Sequence, residues 1–437
     1  MTGTMINAYT PGKATLPPED AARIARRTAL LGPAYRLFYD TPLHLVRGDG
    51  VWLYDRDGNA YLDAYNNVAS LGHCHPRVVA ALAAQAGMLS THTRYLHDAV
   101  LDYADRLLAY FPVPLTHVMF TCTGSEANDL ALRIARAKTG GTGVIVTDNA
   151  YHGVTFATAE MSMSIGPAVA PGPTVFPIPA PTAANYPGDL GAGFAAAVTA
   201  ATKRMLAQGI RPAMLIVDTI FSSDGVLPDP AGFLAPAAAA IRAAGGLFLA
   251  DEVQPGFGRT GSQMWGFQRH GLIPDMVSLG KPMGNGYPMA GLVVQPDIIA
   301  AFGAKARYFN TFGGNAVAAA VGMAVLNVIR DEGLMANAAH VGALFHQGLE
   351  DLATRHPCLG QTRSAGLFLG LDILGDDGTP DPTRAAQIVN ALRQARVLIS
   401  ATGPQGHTLK IRPPLVFSTD HVGVFVERLE GVLRGAG

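Results

Sequence analysis

Two residues define the first chemistry to consider: an aspartate and a lysine, each closing an apolar run. Gly246-Leu247-Phe248-Leu249-Ala250 leads into Asp251-Glu252-Val253-Gln254, and Met276-Val277-Ser278-Leu279-Gly280 leads into Lys281. The loop Pro282-Met283-Gly284-Asn285-Gly286-Tyr287-Pro288 follows the lysine. Short continuous apolar runs bounded by Gly and Pro read as buried strands of a parallel sheet. Such sheets place their chemistry at the carboxyl ends of their strands. A carboxylate and an amine there suit pyridoxal phosphate: a lysine holds its aldehyde as a Schiff base and an acid pairs the pyridinium nitrogen.

Further motifs bear on the same chemistry. Thr121-Cys122-Thr123-Gly124-Ser125-Glu126-Ala127-Asn128-Asp129 joins a strand to a helix with a polar first turn. Free N–H groups at such a helix start bind anions, although a plain Ser-capped helix would carry the same letters. Tyr151-His152-Gly153 follows the apolar run 144–147, where a flat ring could stack on a cofactor or simply form a structural pair. Gly256-Phe257-Gly258-Arg259-Thr260-Gly261 matches G-x-G-x-x-G but opens no amphipathic helix, and Lys281 stands where a dinucleotide fold needs an acid. His73 and His75 flank Cys74 with no carboxylate nearby and Pro76 next, which reads as a helix-leading turn, so no metal is expected. Arg412, in Lys410-Ile411-Arg412-Pro413-Pro414, alternates with Leu409 and Ile411 and leaves the core face. It is either a solvated strand arginine or a fork for a substrate carboxylate or phosphate.

The elements that must position these residues alternate. Residues 17–40 read as helical, and 46–63 as a small meander with Asp-Gly turns at 49–50 and 57–58. From about 76 to 300, strand-like runs at 118–120, 144–146, 214–218, 247–251 and 276–279 alternate with helical ones. The stretch Pro167 to Pro187 reads as an irregular surface excursion. Helices around 315–355 lead to strands at 366–372 and 409–412. The fold class is therefore α/β: a large domain with a mostly parallel sheet covered by helices, plus a smaller α+β domain from the N- and C-terminal segments. The expected boundaries are 1–75, 76–320 and 321–437.

Composition narrows the function classes. Of 437 residues, 49% are hydrophobic and only 15% charged, which favours an oligomer because so much apolar surface needs covering. A net charge of −1 carries no polybasic footprint for nucleic acid or an anionic membrane. Cys74, Cys122 and Cys358 are odd in number and lack C-x-x-C spacing, so neither a disulfide framework nor a zinc site is expected. Met1 to Thr10 lacks the charged and apolar regions of a secretory signal, and no apolar stretch is long enough for a membrane span. A cytoplasmic enzyme is the expectation.

Taken together, these motifs resemble the class III aminotransferases of pyridoxal-phosphate fold-type I over essentially the whole chain. The stretches that carry the resemblance are Gly124-Ser125-Glu126-Ala127-Asn128, Tyr151-His152-Gly153, Ala250-Asp251-Glu252-Val253-Gln254, Gly256-Phe257-Gly258-Arg259, Lys281 and Asn310-Thr311-Phe312-Gly313-Gly314-Asn315. The resemblance implies that Lys281 carries the cofactor and moves the proton, that Asp251 pairs the ring nitrogen and that Gln254 meets the ring hydroxyl. It further implies that Tyr151 stacks, that Gly124 and Ser125 hold the phosphate, and that Thr311 reaches the cofactor of the other subunit in a homodimer, with a tetramer also open. Pro255 departs from the threonine or valine usual after the glutamine. Three segments, 65–76, 91–97 and 280–286, resemble one branch most, the ethanolamine-phosphate phospho-lyases. That branch implies elimination of phosphate from a phosphorylated amine, with Arg412 and then Arg94 as cationic partners. The alternative is an ω-aminotransferase passing an amino group to pyruvate or glyoxylate.

Overall fold

The protein is described by a computed structural model over residues 5–435; residues 1–4, which begin the segment read as free of a secretory signal, and 436–437 lie outside the described residues. The first helix, α1, spans Pro18–Leu31, shorter than the 17–40 expected from sequence. Gly32 at φ 74° and then Pro33 end it, since the first takes a left-handed turn and the second clashes with a continuing helix. Leu45–Asp49 (β1), Trp52–Asp55 (β2) and Ala60–Asp63 (β3) form the expected antiparallel meander. Its turns place Gly50 at φ 54° and Gly58 at φ 81°.

Helices α2 (Pro76–Ala86) and α3 (Asp98–Leu108) lead to the central sheet. Its strands are His117–Thr121 (β4), Gly143–Thr147 (β5), Val175–Ile178 (β6), Pro212–Asp218 (β7), Leu247–Asp251 (β8), Met276–Leu279 (β9) and Ala290–Val294 (β10). In space the order is β4-β10-β9-β8-β7-β5-β6. Strand β10 runs antiparallel to both neighbours and the remaining pairs are parallel, so β4 and β5 to β9 all end on one edge. Alternate side chains feed two different cores: Val144, Ile216 and Leu249 join one cluster, Ile145, Leu215 and Phe248 the other. That period of two with both faces apolar is why these strands read as unbroken hydrophobic runs. Helix α4 (Gly124–Thr139) covers the first face through Leu130, Ala131 and Ile134. Helices Leu190–Ala207, Leu234–Ala243 and Ala316–Asp331 contribute to the second core.

One expectation is corrected here. The Pro- and Ala-rich stretch 167–187 contains β6, the last strand of the sheet, paired only with β5. Pro177 lies within it, which an edge strand tolerates because one side needs no N–H donor.

The C-terminal strands are Leu359–Ser364 (β11), Leu369–Ile373 (β12), Val397–Leu398 (β13), Ser400–Thr402 (β14) and Thr408–Ile411 (β15). Four of them form an antiparallel sheet in the order β11-β12-β15-β14. Strand β13 instead pairs in parallel with β3, Val397 opposite Leu62 and Leu398 opposite Asp63, so the two ends of the chain share one sheet. Among the described residues, no helix is long and apolar enough to cross a membrane, and no group of three or more His, Cys, Asp or Glu is placed to hold a metal ion.

Candidate active site

The parity of β8 decides where Asp251 points. Leu247 and Leu249 face α4, so Asp251 does too, and there it meets the helix. Its Oδ2 accepts from Asn128 Nδ2 at 2.9 Å and lies 2.8 Å from His152 Nδ1, while Oδ1 accepts from the Val253 N–H at 3.1 Å. Asn128 Nδ2 also donates to the His152 carbonyl at 2.8 Å, which ties helix, loop and strand end together. Glu252, the next acid, turns into the core and accepts from Gly266 N, Phe267 N and the Thr219 hydroxyl. Asp251 alone of this pair lines the cavity.

That cavity, about 270 Å³, lies over the carboxyl ends of the strands and gathers Gly124, Ser125, Tyr151, Asp251, Gln254 and Lys281. Helix α4 presents its N-terminus there. Thr123, not Ser125, is its cap, accepting from Glu126 N, while the Glu126 carboxylate accepts from the N–H groups of Cys122 and Thr123. This capping box occupies three donors; the first N–H groups of a helix have no intrahelical acceptor, which leaves those of Gly124 and Ser125 for an anion. A side chain at Gly124 would bring a Cβ within 2.9 Å of Val253, so glycine is needed for the close approach. Ser125 Oγ accepts from Val154 N at 3.1 Å, holding the loop that carries Tyr151. The Tyr151 ring centroid lies 5.9 Å from Lys281 Nζ. Burial, with Arg412 adding to it, lowers the Lys281 amine to about 8, against the pull of Asp251 and Asp218.

The cationic candidates separate. Arg412, 7% exposed, is not a solvated strand arginine. Its backbone N–H donates to Ala64 O at 2.8 Å, Nε donates to Tyr65 O at 2.8 Å, and Nη1 donates to the Gln254 side-chain oxygen. It thus stands directly behind a residue of the cavity wall. Arg94 is exposed and lies 3.6 Å over the Phe309 ring, and Thr311 is exposed in the loop before helix Ala316–Asp331; within one chain neither joins the cavity lining.

Sequence reasoning passed over four residues: Asn128, the His152 ring, Asp218 and Lys410. Asp218 faces Asp251 in the β7–β8 register and also lines the cavity. Its carboxylate accepts from Ser222 N–H and hydroxyl and from Ile220 N, and burial raises its proton affinity. Lys410, two residues before Arg412 and on the same strand face, is buried, which pushes its proton affinity well down; Arg412 adds to this and Asp218 opposes it. The signal for Lys410 was present in that spacing of two.

Comparison with known proteins decides the family. The profile described as Aminotransferase class-III matches residues 38–433. This chain is a class-III aminotransferase-family enzyme. It is 40% identical to the alanine–glyoxylate aminotransferase 2-like protein of Drosophila melanogaster, over 92% of this chain and 85% of that one. It is 35% identical to ethanolamine-phosphate phospho-lyase homolog 1 of Caenorhabditis elegans, over 94% and 92%. Among solved structures, a phospholyase from Arthrobacter in complex with phosphoethanolamine superposes with a TM-score of 0.91 at 42% identity, covering 94% of this chain and 99% of that one. Class-III members depend on pyridoxal phosphate, and the residues here fit it. A helix start with free donors and a glycine suits its phosphate, a buried carboxylate suits its ring nitrogen, and an amine of lowered proton affinity suits its aldehyde.

Proposed function

We propose that this class-III enzyme is a phospho-lyase acting on ethanolamine phosphate or a similar phosphorylated amine, and releasing aldehyde, ammonia and phosphate. The observation that carries the reading is the likeness, at 42% identity across nearly the full length of both chains, to a phospholyase in complex with phosphoethanolamine. Segments 65–76, 91–97 and 280–286 support it from sequence.

Gly124 and Ser125 would hold the cofactor phosphate, Tyr151 would cover the ring, Gln254 would meet its hydroxyl and Lys281 would carry it. When bound, pyridoxal phosphate withdraws electrons from the amine-bearing carbon and so acidifies its hydrogen. Asp251, fixed by Asn128 and His152, keeps a negative charge at the ring nitrogen. Lys281 as a neutral amine takes the proton from the amine-bearing carbon. Arg412 offers a planar fork to the substrate phosphate. Its positive charge favours departure of phosphate with the carbon–oxygen bonding pair. Water then completes the breakdown to aldehyde and ammonia.

The reading extends to assembly. Exposed Arg94, Tyr95, Leu96, Thr311 and Phe312 form a face suited to a second copy of the chain, with Thr311 and Arg94 serving the partner's site, in a dimer or a pair of dimers. It also includes a division into 76–320 and a smaller unit of 1–75 with 321–437, and a reducing, cytoplasmic location suited to three free cysteines.

The test is direct. The holoenzyme is given ethanolamine phosphate without any keto acid, and phosphate is followed over many turnovers. Sustained release supports the lyase. The name of the Drosophila melanogaster relative favours a second reading, amino transfer to pyruvate or glyoxylate. That reading replaces the first if no phosphate appears and amine loss instead tracks alanine or glycine.

A further inference from the structure

Arg259 is the largest charged side chain fully enclosed in the core, at 0% exposure. No carboxylate lies within ion-pair distance of it among the described residues. A buried charge without a counter-ion is costly, so its position calls for a physical reason. The contacts supply one. Arg259 Nη1 donates to Leu367 O at 2.9 Å and to Pro413 O at 2.7 Å, while the Arg259 carbonyl accepts from Leu367 N at 3.0 Å. Burial and the neighbouring Arg412 both oppose its charge.

Pro413 directly follows Arg412, and Pro414 follows it, so neither residue can donate an N–H to continue the sheet beyond β15. The segment is held by other means. On one side Arg412 N donates to Ala64 O and Leu415 N donates to Ser70 O; on the other, Arg259 takes the Pro413 carbonyl. The loop that carries Arg259 begins just after Gln254, whose side chain accepts from Arg412. One loop therefore holds Arg412 by its tip and the next residue by its carbonyl. We infer that Arg259 is a positioning residue for substrate binding: through the Pro413 carbonyl it fixes where Arg412 directs its fork.

This rests on the reading that Arg412 receives the substrate phosphate, and the experiment separates the two. Holoenzyme carrying Arg412→Met, Arg259→Met, Arg259→Lys or both methionine changes is assayed for phosphate release, with thermal midpoint and cofactor absorbance recorded. Arg412→Met should raise KM for ethanolamine phosphate by about tenfold or more, with a smaller change in kcat. Arg259→Met should raise KM by about three- to tenfold, Arg259→Lys should recover part of that, and the double variant should bind no worse than Arg412→Met alone. If Arg259→Met does not fold, Arg259→Lys is paired with Arg412→Met and judged by the same rule. An unchanged KM in the Arg259 variant, or the same fold-increase whether or not Arg412 is present, overturns the inference while leaving the role of Arg412 intact. An unchanged KM in Arg412→Met removes the parent reading and the inference with it.

Discussion

The amine of Lys281 is held at about 8 rather than 10.5 because burial and Arg412 oppose its positive charge. Only the neutral amine attacks a carbonyl, so capture of pyridoxal phosphate by the apo-protein should quicken as pH rises through that value. By simple titration about one amine in ten is neutral at pH 7 and about nine in ten at pH 9. A capture rate that stays flat over that interval, followed by visible absorbance, would contradict the assignment. Lys281→Ala should lower turnover at least about a thousandfold, and near-normal turnover would remove it from the mechanism. Asp251→Asn should fold with a similar thermal midpoint yet lose about a hundredfold or more in kcat. Both residues were legible beforehand because each closes an unbroken apolar run, which is a local pattern. Asn128 was not, because its importance depends on what α4 meets across the fold, and the one signal for Lys410 was its spacing of two from Arg412. The burial of Arg412 was hidden for the same reason: alternation puts its side chain off the core face, but the 64–70 segment that covers it comes from the other end of the chain.

At the scale of elements, the proposed anion site is the start of α4, whose order depends on a capping box. Thr123→Ala removes the acceptor for Glu126 N and should cost about 1 kcal/mol of stability. The same change should weaken retention of pyridoxal phosphate, seen as faster loss of visible absorbance on dialysis. Unchanged retention would mean that the donors of Gly124 and Ser125 stay ordered without the cap. Strands β7, β8 and β9 were readable from composition because a sheet buried on both faces demands continuous apolar residues. Strand β6 was not readable: it holds a proline and lies at the edge, where only β5 imposes a pattern. The opposite error occurred in α1, where apolar spacing suggested a longer helix and Gly32 with Pro33 stopped it.

At the scale of the whole molecule, Thr311 and Arg94 lie outside the cavity of their own chain, which gives the proposed dimer a sharp test. Lys281→Ala and a Thr311→Val variant, each weak alone, are mixed under conditions of subunit exchange. If each site draws Lys281 from one chain and Thr311 from the other, half of the dimers are hybrids with one intact site, so about a quarter of wild-type activity should return. No recovery despite demonstrated exchange, or a fully active monomer in sedimentation, would overturn the shared site. The alpha-beta class and the order of chemistry along the chain were legible without coordinates, whereas the union of both ends in one sheet was not, because two-residue strands such as β13 carry no pattern of their own. That union has a consequence for the order in which the protein is made. Residues 117–294 complete the central sheet well before Val397 emerges to pair with Leu62. A chain still on the ribosome can therefore build the cradle for its cofactor while the Arg412 segment that closes over residues 64–70 is still unsynthesised. Pairings of such long sequence separation form late. The proposed grip on the substrate anion is the last part of the machine to arrive.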